Sequence, residues 1–221
     1  MRLSRVWLTI PLIATLCLWA HGQNTQSQEA QPNEKRGLPP RATPGDYQAH
    51  AKAGSVTVAA EFMGHAVPRE EGPLSTEDYV VVETGFFGAP GARINLSLND
   101  FSLRINGKKH PLSSQPDELV DSSLRDPQWA PPEEAKSKSK TGLSTGGQSD
   151  SSSTPAPVHV PIAMQRAMAQ SVRKSALPEG DRALPEAGLI FFQYRGKRKN
   201  IHSLELIYAG SAGNATLALQ P

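Results

Sequence analysis

Arg195-Gly196-Lys197-Arg198-Lys199 sets four cations within five residues, with Tyr194 beside them. Lys108-Lys109-His110 forms a second, smaller basic group. Concentrated positive potential of this kind attracts an acidic glycan, lipid headgroups or nucleic acid. Arg195, Lys197, Arg198, Lys199, Lys108 and Lys109 are therefore the candidate anion-binding residues. The competing account is that turns tolerate lysines, which there keep strand ends soluble.

Other constellations do not assemble. Ala209-Gly210-Ser211-Ala212-Gly213 nearly matches the nucleophile elbow of serine hydrolases. That elbow turns from strand into helix, whereas here a strand pattern follows Ser211 and no His or acid lies downstream. A hairpin turn explains the segment better. His50, His65, His110, His159 and His202 lack the spacing of a zinc or copper site, and no cysteine lies near them. The pairs Glu70-Glu71, Glu77-Asp78 and Asp117-Glu118 are neighbours in sequence among Pro, Gly or Ser. A glycosidase needs two carboxylates facing each other across a cleft, so these read as solvated loop charge. Gly91, Gly107 and Gly142 stand alone, without a phosphate-binding loop. No catalytic residue, metal or cofactor is expected. Trp129, ahead of Ala130-Pro131-Pro132, pins the start of a loop. Asn95-Leu96-Ser97 and Asn214-Ala215-Thr216 match the N-glycosylation sequon, which matters only in a eukaryotic source.

The basic groups sit where strand patterns break. Val56, Val58, Ala60 and Phe62 alternate with smaller or polar residues, the period-2 signature of a half-buried strand. Residues 79–87 form a β-branched and aromatic run closed by Gly88, Pro90 and Gly91. Ile94, Leu96 and Leu98 alternate next. Phe101, Leu103 and Ile105 lead into Asn106-Gly107, a strong hairpin signal, which puts Lys108 and Lys109 at a hairpin tip. Residues 189–194 and 204–208 are further strands, and the polar turn between them, residues 195–200, is expected to be a hairpin tip too. Residues 215–219 are a last strand. From 162 to 176 there is no Gly or Pro, and Met164, Met168 and Val172 recur every four residues. That spacing predicts a helix of about four turns, expected to cap one edge or end of the sheets.

About seven or eight short strands with one inserted helix predict an all-β immunoglobulin-like sandwich over residues 46–221. A β-barrel is the alternative, because periodicity does not separate a closed sheet from two packed ones. Two stretches fall outside this pattern. Residues 23–45 are rich in Gln, Asn, Pro and charge and predict a disordered tether; residues 130–157 predict a disordered insertion.

The N-terminus has the parts of a cleavable secretory signal. Arg2 and Arg5 precede an apolar run over residues 6–19, and Ala20-His21-Gly22 places cleavage before Gln23. The run falls short of the about 20 apolar residues of a spanning helix, so no transmembrane span is expected after removal of residues 1–22. Cys17, the single cysteine, leaves with that segment. The whole chain has 23 Lys and Arg against 21 Asp and Glu, and without Arg2 and Arg5 the two signs balance. A nearly neutral chain lacks the net basic surface of a general nucleic-acid binder.

The Val80-Val81-Val82 strand and the Phe101-Ser102-Leu103-Arg104-Ile105-Asn106-Gly107 strand and turn resemble those of bacterial extracytoplasmic immunoglobulin-like domains. So do Leu177-Pro178-Glu179-Gly180, Leu184-Pro185 and Gly188-Leu189-Ile190-Phe191-Phe192, before a closing hairpin. The style is similar to that of uncharacterised secreted proteins of acidobacteria. The resemblance implies a fold and an envelope location and brings no catalytic residue with it. The expectation is a periplasmic or secreted, non-enzymatic binding module whose partner is a protein or an envelope polysaccharide. A structural envelope component and an envelope-directed hydrolase are the alternatives.

Overall fold

The computed structural model describes residues 36–130 and 160–221. The expected signal (1–22), residues 23–35 of the expected tether and residues 131–157 of the expected insertion lie outside the described residues. Within them the elements follow the chain as β1 (Ala49–Ala53), β2 (Val56–Gly64), β3 (Ala66–Val67), β4 (Leu74–Thr76), β5 (Tyr79–Phe87), β6 (Arg93–Leu96) and β7 (Phe101–Ile105). β8 (Leu112–Gln115), β9 (Leu124–Arg125), helix α1 (Ile162–Ser175), β10 (Gly180–Ala183), β11 (Glu186–Gln193), β12 (Leu204–Gly210) and β13 (Gly213–Leu219) complete the order.

The fold is all-β with one helix. Eight strands form an antiparallel sheet in the order β1-β2-β5-β11-β8-β7-β12-β13. β8 is the corner. It pairs with β11 through Ser114 and Gln115, and with β7 through Leu112 and Ser113. One half-sheet (β1, β2, β5, β11) thus continues into the other (β7, β12, β13) and the two pack face to face, with β13 lying alongside β1 at the opposite side. No ladder joins β1 to β13, although the Gln48 side chain donates to the Gln220 carbonyl at 3.1 Å. The sheet is nearly closed.

Inward residues fill the space between the halves. Val58, Ala60, Val80, Val82, Phe86, Phe101, Leu103, Ile190, Phe192, Leu206, Tyr208 and Leu217 belong to one buried cluster. Phe86, Phe101 and Tyr208 pack ring against ring, with centroids 5.2 to 6.0 Å apart. β7, β12 and β13 alternate buried and open residues, as a half-buried strand must. β5 and β11 are buried on both faces. Their second face carries Tyr79, Val81, Leu189 and Phe191, which pack with Met168 and Val172 of α1 and with Leu74 and Leu124 of the small β3-β4-β9 sheet. The helix therefore covers the outer face of the central strands; it does not cap an edge or end. Both-face burial of β5 and β11 leaves an apolar surface that only a second layer removes from water.

The tether is a further correction. Residues 36–45, expected to be disordered, lie along the sheet. The Gly37 and Leu38 amides donate to the Lys174 and Ala187 carbonyls, each at 2.8 Å. Arg41 reaches two carboxylates that face each other across β2 and β5, giving two bonds to Glu83 (3.1 and 2.8 Å) and one to Glu61 (2.5 Å). Its guanidinium also sits 4.5 Å from the Tyr47 ring centroid. Charge that looked like linker composition is thus an anchor for the segment entering β1.

Candidate anion-binding site

The last residues of β2, β7 and β11, the first residues of β5, β8 and β12 and the loops between them meet at one end of the sheet. Both basic groups are there. Lys108 and Lys109 lie in the β7–β8 turn, as expected from Asn106-Gly107, whose backbones both take positive φ (52° and 63°). A turn with two left-handed residues in succession suits Asn-Gly and few other pairs.

Residues 195–199 are not a hairpin tip. β11 and β12 do not pair, because β8 and β7 lie between them in the sheet. Residues 194–203 instead cross that end of the sheet from one half to the other. Ile201 turns inward from this crossover and joins the core. The segment is therefore held by burial at its middle while its polar residues stay outside.

Asn106 ties the crossover to the β7–β8 turn. Its side-chain Nδ2 donates to the Asn200 carbonyl at 2.8 Å, and its Oδ1 accepts from the His202 and Ser203 amides at 2.7 and 3.2 Å. The Asn106 amide donates to the Ser203 carbonyl at 2.9 Å. One asparagine thereby holds the two basic turns side by side.

The six candidate residues divide by environment. Arg195 pairs with Asp78 at 3.1 Å. The Arg198 guanidinium lies 5.8 Å from the centroid of the Phe62 ring, covering a core residue at this end. Lys108, Lys109, Lys197 and Lys199 are exposed, and their ammonium groups have no hydrogen bond or ion pair among the described residues. Several guanidinium groups elsewhere are taken up structurally: Arg69 with Asp126 at 2.6 Å, Arg93 with Asp181 at 2.8 Å, Arg104 with Glu205 at 2.7 Å. Four exposed lysines without a partner among the described residues thus lie together at one end of the sheet.

Sequence reasoning set His65 aside with the other histidines and gave it no place near the basic groups. A register shift between Phe62 and Gly64 bends the end of β2, as bulges do, and sets His65 beneath the crossover. Its Nε2 lies 3.0 Å from the Gly196 carbonyl and its ring stacks on Tyr194 at 6.4 Å between centroids. Nδ1 is buried without a hydrogen-bond partner. No local signal could have found this group, because its members come from residues 65 and 194–196.

The other candidates resolve differently. Ser211 sits in the β12–β13 turn and donates to the Asn95 carbonyl at 2.8 Å, so the hairpin expectation there holds. Asp117, expected to be solvated, is 5% exposed, and its Oδ2 has no partner. The 3-10 turn over Asp117–Leu119 draws it under α1. Among the described residues no three His, Cys, Asp or Glu side chains are grouped so as to hold a metal ion, and no helix is long and apolar enough to cross a membrane.

Comparison with models of known families, with curated proteins and with solved structures found no match in any of the three.

Proposed function

We propose that this chain is an extracytoplasmic, non-enzymatic binding module that takes an anionic partner, a protein or an envelope polysaccharide, at the basic end of its sheet. The observation that carries this reading is the juxtaposition of the β7–β8 turn and the crossover by Asn106, which gathers four exposed, unpaired lysines. Export rests on the Arg2/Arg5 and apolar pattern at the N-terminus. In keeping with a non-enzymatic role, the carboxylates of Glu61 and Glu83 are engaged by Arg41, and that of Asp126 by Arg69.

The test is capture of partners from native envelope extract at low and high salt, with the parent protein and with Lys108→Glu/Lys199→Glu. The parent should retain a partner that high salt releases, since exposed charges are screened beyond a Debye length of about 8 Å at physiological ionic strength. The double variant should lose at least about tenfold of the captured material, as like-charge repulsion replaces attraction. Self-capture alone would favour a structural envelope role. Retention unaffected by salt and by both substitutions would overturn the electrostatic reading.

A further inference from the structure

We propose that anion binding at this end is coupled to protonation of His65, so that the protein holds a polyanion more tightly in mild acid. The inference rests on the binding role given above and adds its regulation.

The argument begins with a hydrogen bond of fixed direction. The Gly196 carbonyl can only accept, so the His65 Nε2 3.0 Å away must carry a proton. In the neutral ring Nδ1 is then a lone pair, and it is buried with no donor to meet it. Nδ1 lacks a partner in either state, as a lone pair in the neutral ring and as an N–H in the charged one, so what the proton changes is the local charge. Adding a proton at Nδ1 places a positive charge against Gly196, which stands between Arg195 and Lys197 in sequence.

The surroundings decide what that charge costs. From the crossover, Tyr194 offers its ring face and Arg195 and Arg198 are cationic. Gly64, the residue before His65, is the close neighbour of the Arg198 side chain. From the segment before β5, Thr76 uses its amide on the His65 carbonyl at 2.8 Å. Asp78 is engaged by Arg195, and Glu77 by Arg125 at 3.4 Å. No carboxylate among these is left over for an imidazolium. His110 and His202, both exposed in the same two loops, would add further charge in acid.

An imidazolium here is therefore repelled by its neighbours until an anion occupies the loops. An anion stabilises the proton, and the proton stabilises the anion by the same factor, as linkage requires. Of the histidines at this end, His65 alone is bonded to the backbone of the basic crossover. That contact is what distinguishes its contribution from the general charging of His110 and His202.

The experiment uses fluorescent dextran sulfate, whose sulfates do not titrate in this range, so any pH dependence belongs to the protein. Fluorescence anisotropy with the secreted protein, at constant low ionic strength, gives the affinity at pH 5.5 and pH 7.5. The parent should bind at least about fivefold tighter at pH 5.5, the low end of ordinary coupling. His65→Gln, whose amide can still donate to Gly196, should lose most of the gain between pH 7.5 and pH 5.5. His110→Gln/His202→Gln should keep most of it. NMR titration of the His65 ring in the parent decides the matter even if His65→Gln fails to fold: its midpoint should rise when dextran sulfate is present. Binding with equal affinity at both pH values, a full gain in His65→Gln, or an unmoved midpoint would overturn the coupling while leaving the binding role intact. No binding at either pH would overturn both.

Discussion

Asp117 and Asp121 are the residues at which this fold opposes its own solvation chemistry. Each sits in a 3-10 turn beside α1, and each has one buried carboxylate oxygen without a partner. Burial pushes both carboxyls above the usual Asp range. Glu118 adds to this at Asp117 while Arg36 opposes it, and Arg173 opposes it at Asp121. Arg36 lies 3.7 Å from Asp117 but is nearly half exposed, so its compensation is small. A carboxyl whose proton is held more tightly in the folded chain stabilises that chain in acid. The contribution is complete below the unfolded value near about 3.9 and is lost as pH rises through the folded values. At neutral pH both groups therefore weaken the fold. Asp117→Asn should melt at or above the parent temperature at pH 7.5, with the difference shrinking by pH 4.5. Thermal unfolding at both pH values measures this; a variant that melts lower at pH 7.5 would show that the Arg36 pair outweighs burial.

Between elements, the join of α1 to the sheet depends on a missing side chain. After the helix, the Leu177 amide donates to the Leu189 carbonyl at 2.9 Å, and Ala176 bridges Leu189 in parallel. The chain can lie that close only because residue 188 is glycine. A Cβ there would stand 2.4 Å from the Leu177 Cα and 2.6 Å from its nitrogen. These are backbone atoms, which cannot rotate away as a side-chain tip does. Gly188→Ala should therefore cost about 2 kcal/mol, within the range for overpacked cores, and loosen α1 from Val81, Leu189 and Phe191. Urea unfolding would give the cost, and an unchanged midpoint would mean that residues 176–177 shift without penalty. The same layer explains a sequence feature: residues 79–82 of β5 and 189–192 of β11 are unbroken apolar runs because α1 and the β3-β4-β9 sheet cover the face that alternation would otherwise leave polar.

At the scale of the whole molecule the sheet has one weak side and two different ends. The weak side is the seam, where β1 and β13 run alongside each other without a ladder. Their facing amides should exchange with solvent well ahead of those of β5 and β11, which pair on both sides. Hydrogen exchange by NMR checks this; equal protection would mean that the seam is closed in solution. At one end, the β6–β10 pair supplies Ile94 and Leu96 to the core. At the other, Ile201 and Phe62 are among the buried residues, and Arg198 lies over the Phe62 ring. Exposed cations thus lie at an end plugged by apolar side chains, one of which, Ile201, comes from the basic crossover itself.

Much of the element content follows from the sequence alone. β2, β5, β7, β11, β12, β13 and α1 announce themselves through spacing, and Asn106-Gly107 announces its turn, because these signals arise between residues a few positions apart. β1 gave little sign: its inward positions are the alanines 49, 51 and 53, too small to mark a strand. The short strands β3, β8 and β9 are set by neighbours distant in the chain. Sheet order was likewise beyond local reading. Nothing near residues 195–199 indicates that β8 and β7 stand between β11 and β12, so a hairpin became a crossover only in the folded chain. The candidate site divides in the same way. Sequence alone identified the lysines, since charge density is a local property. Tertiary structure decided that the two turns share one asparagine, that Arg195 is neutralised by Asp78, and that His65 lies beneath Gly196. Those contacts depend on which surfaces must be buried together, a competition among all elements that no short window of sequence contains.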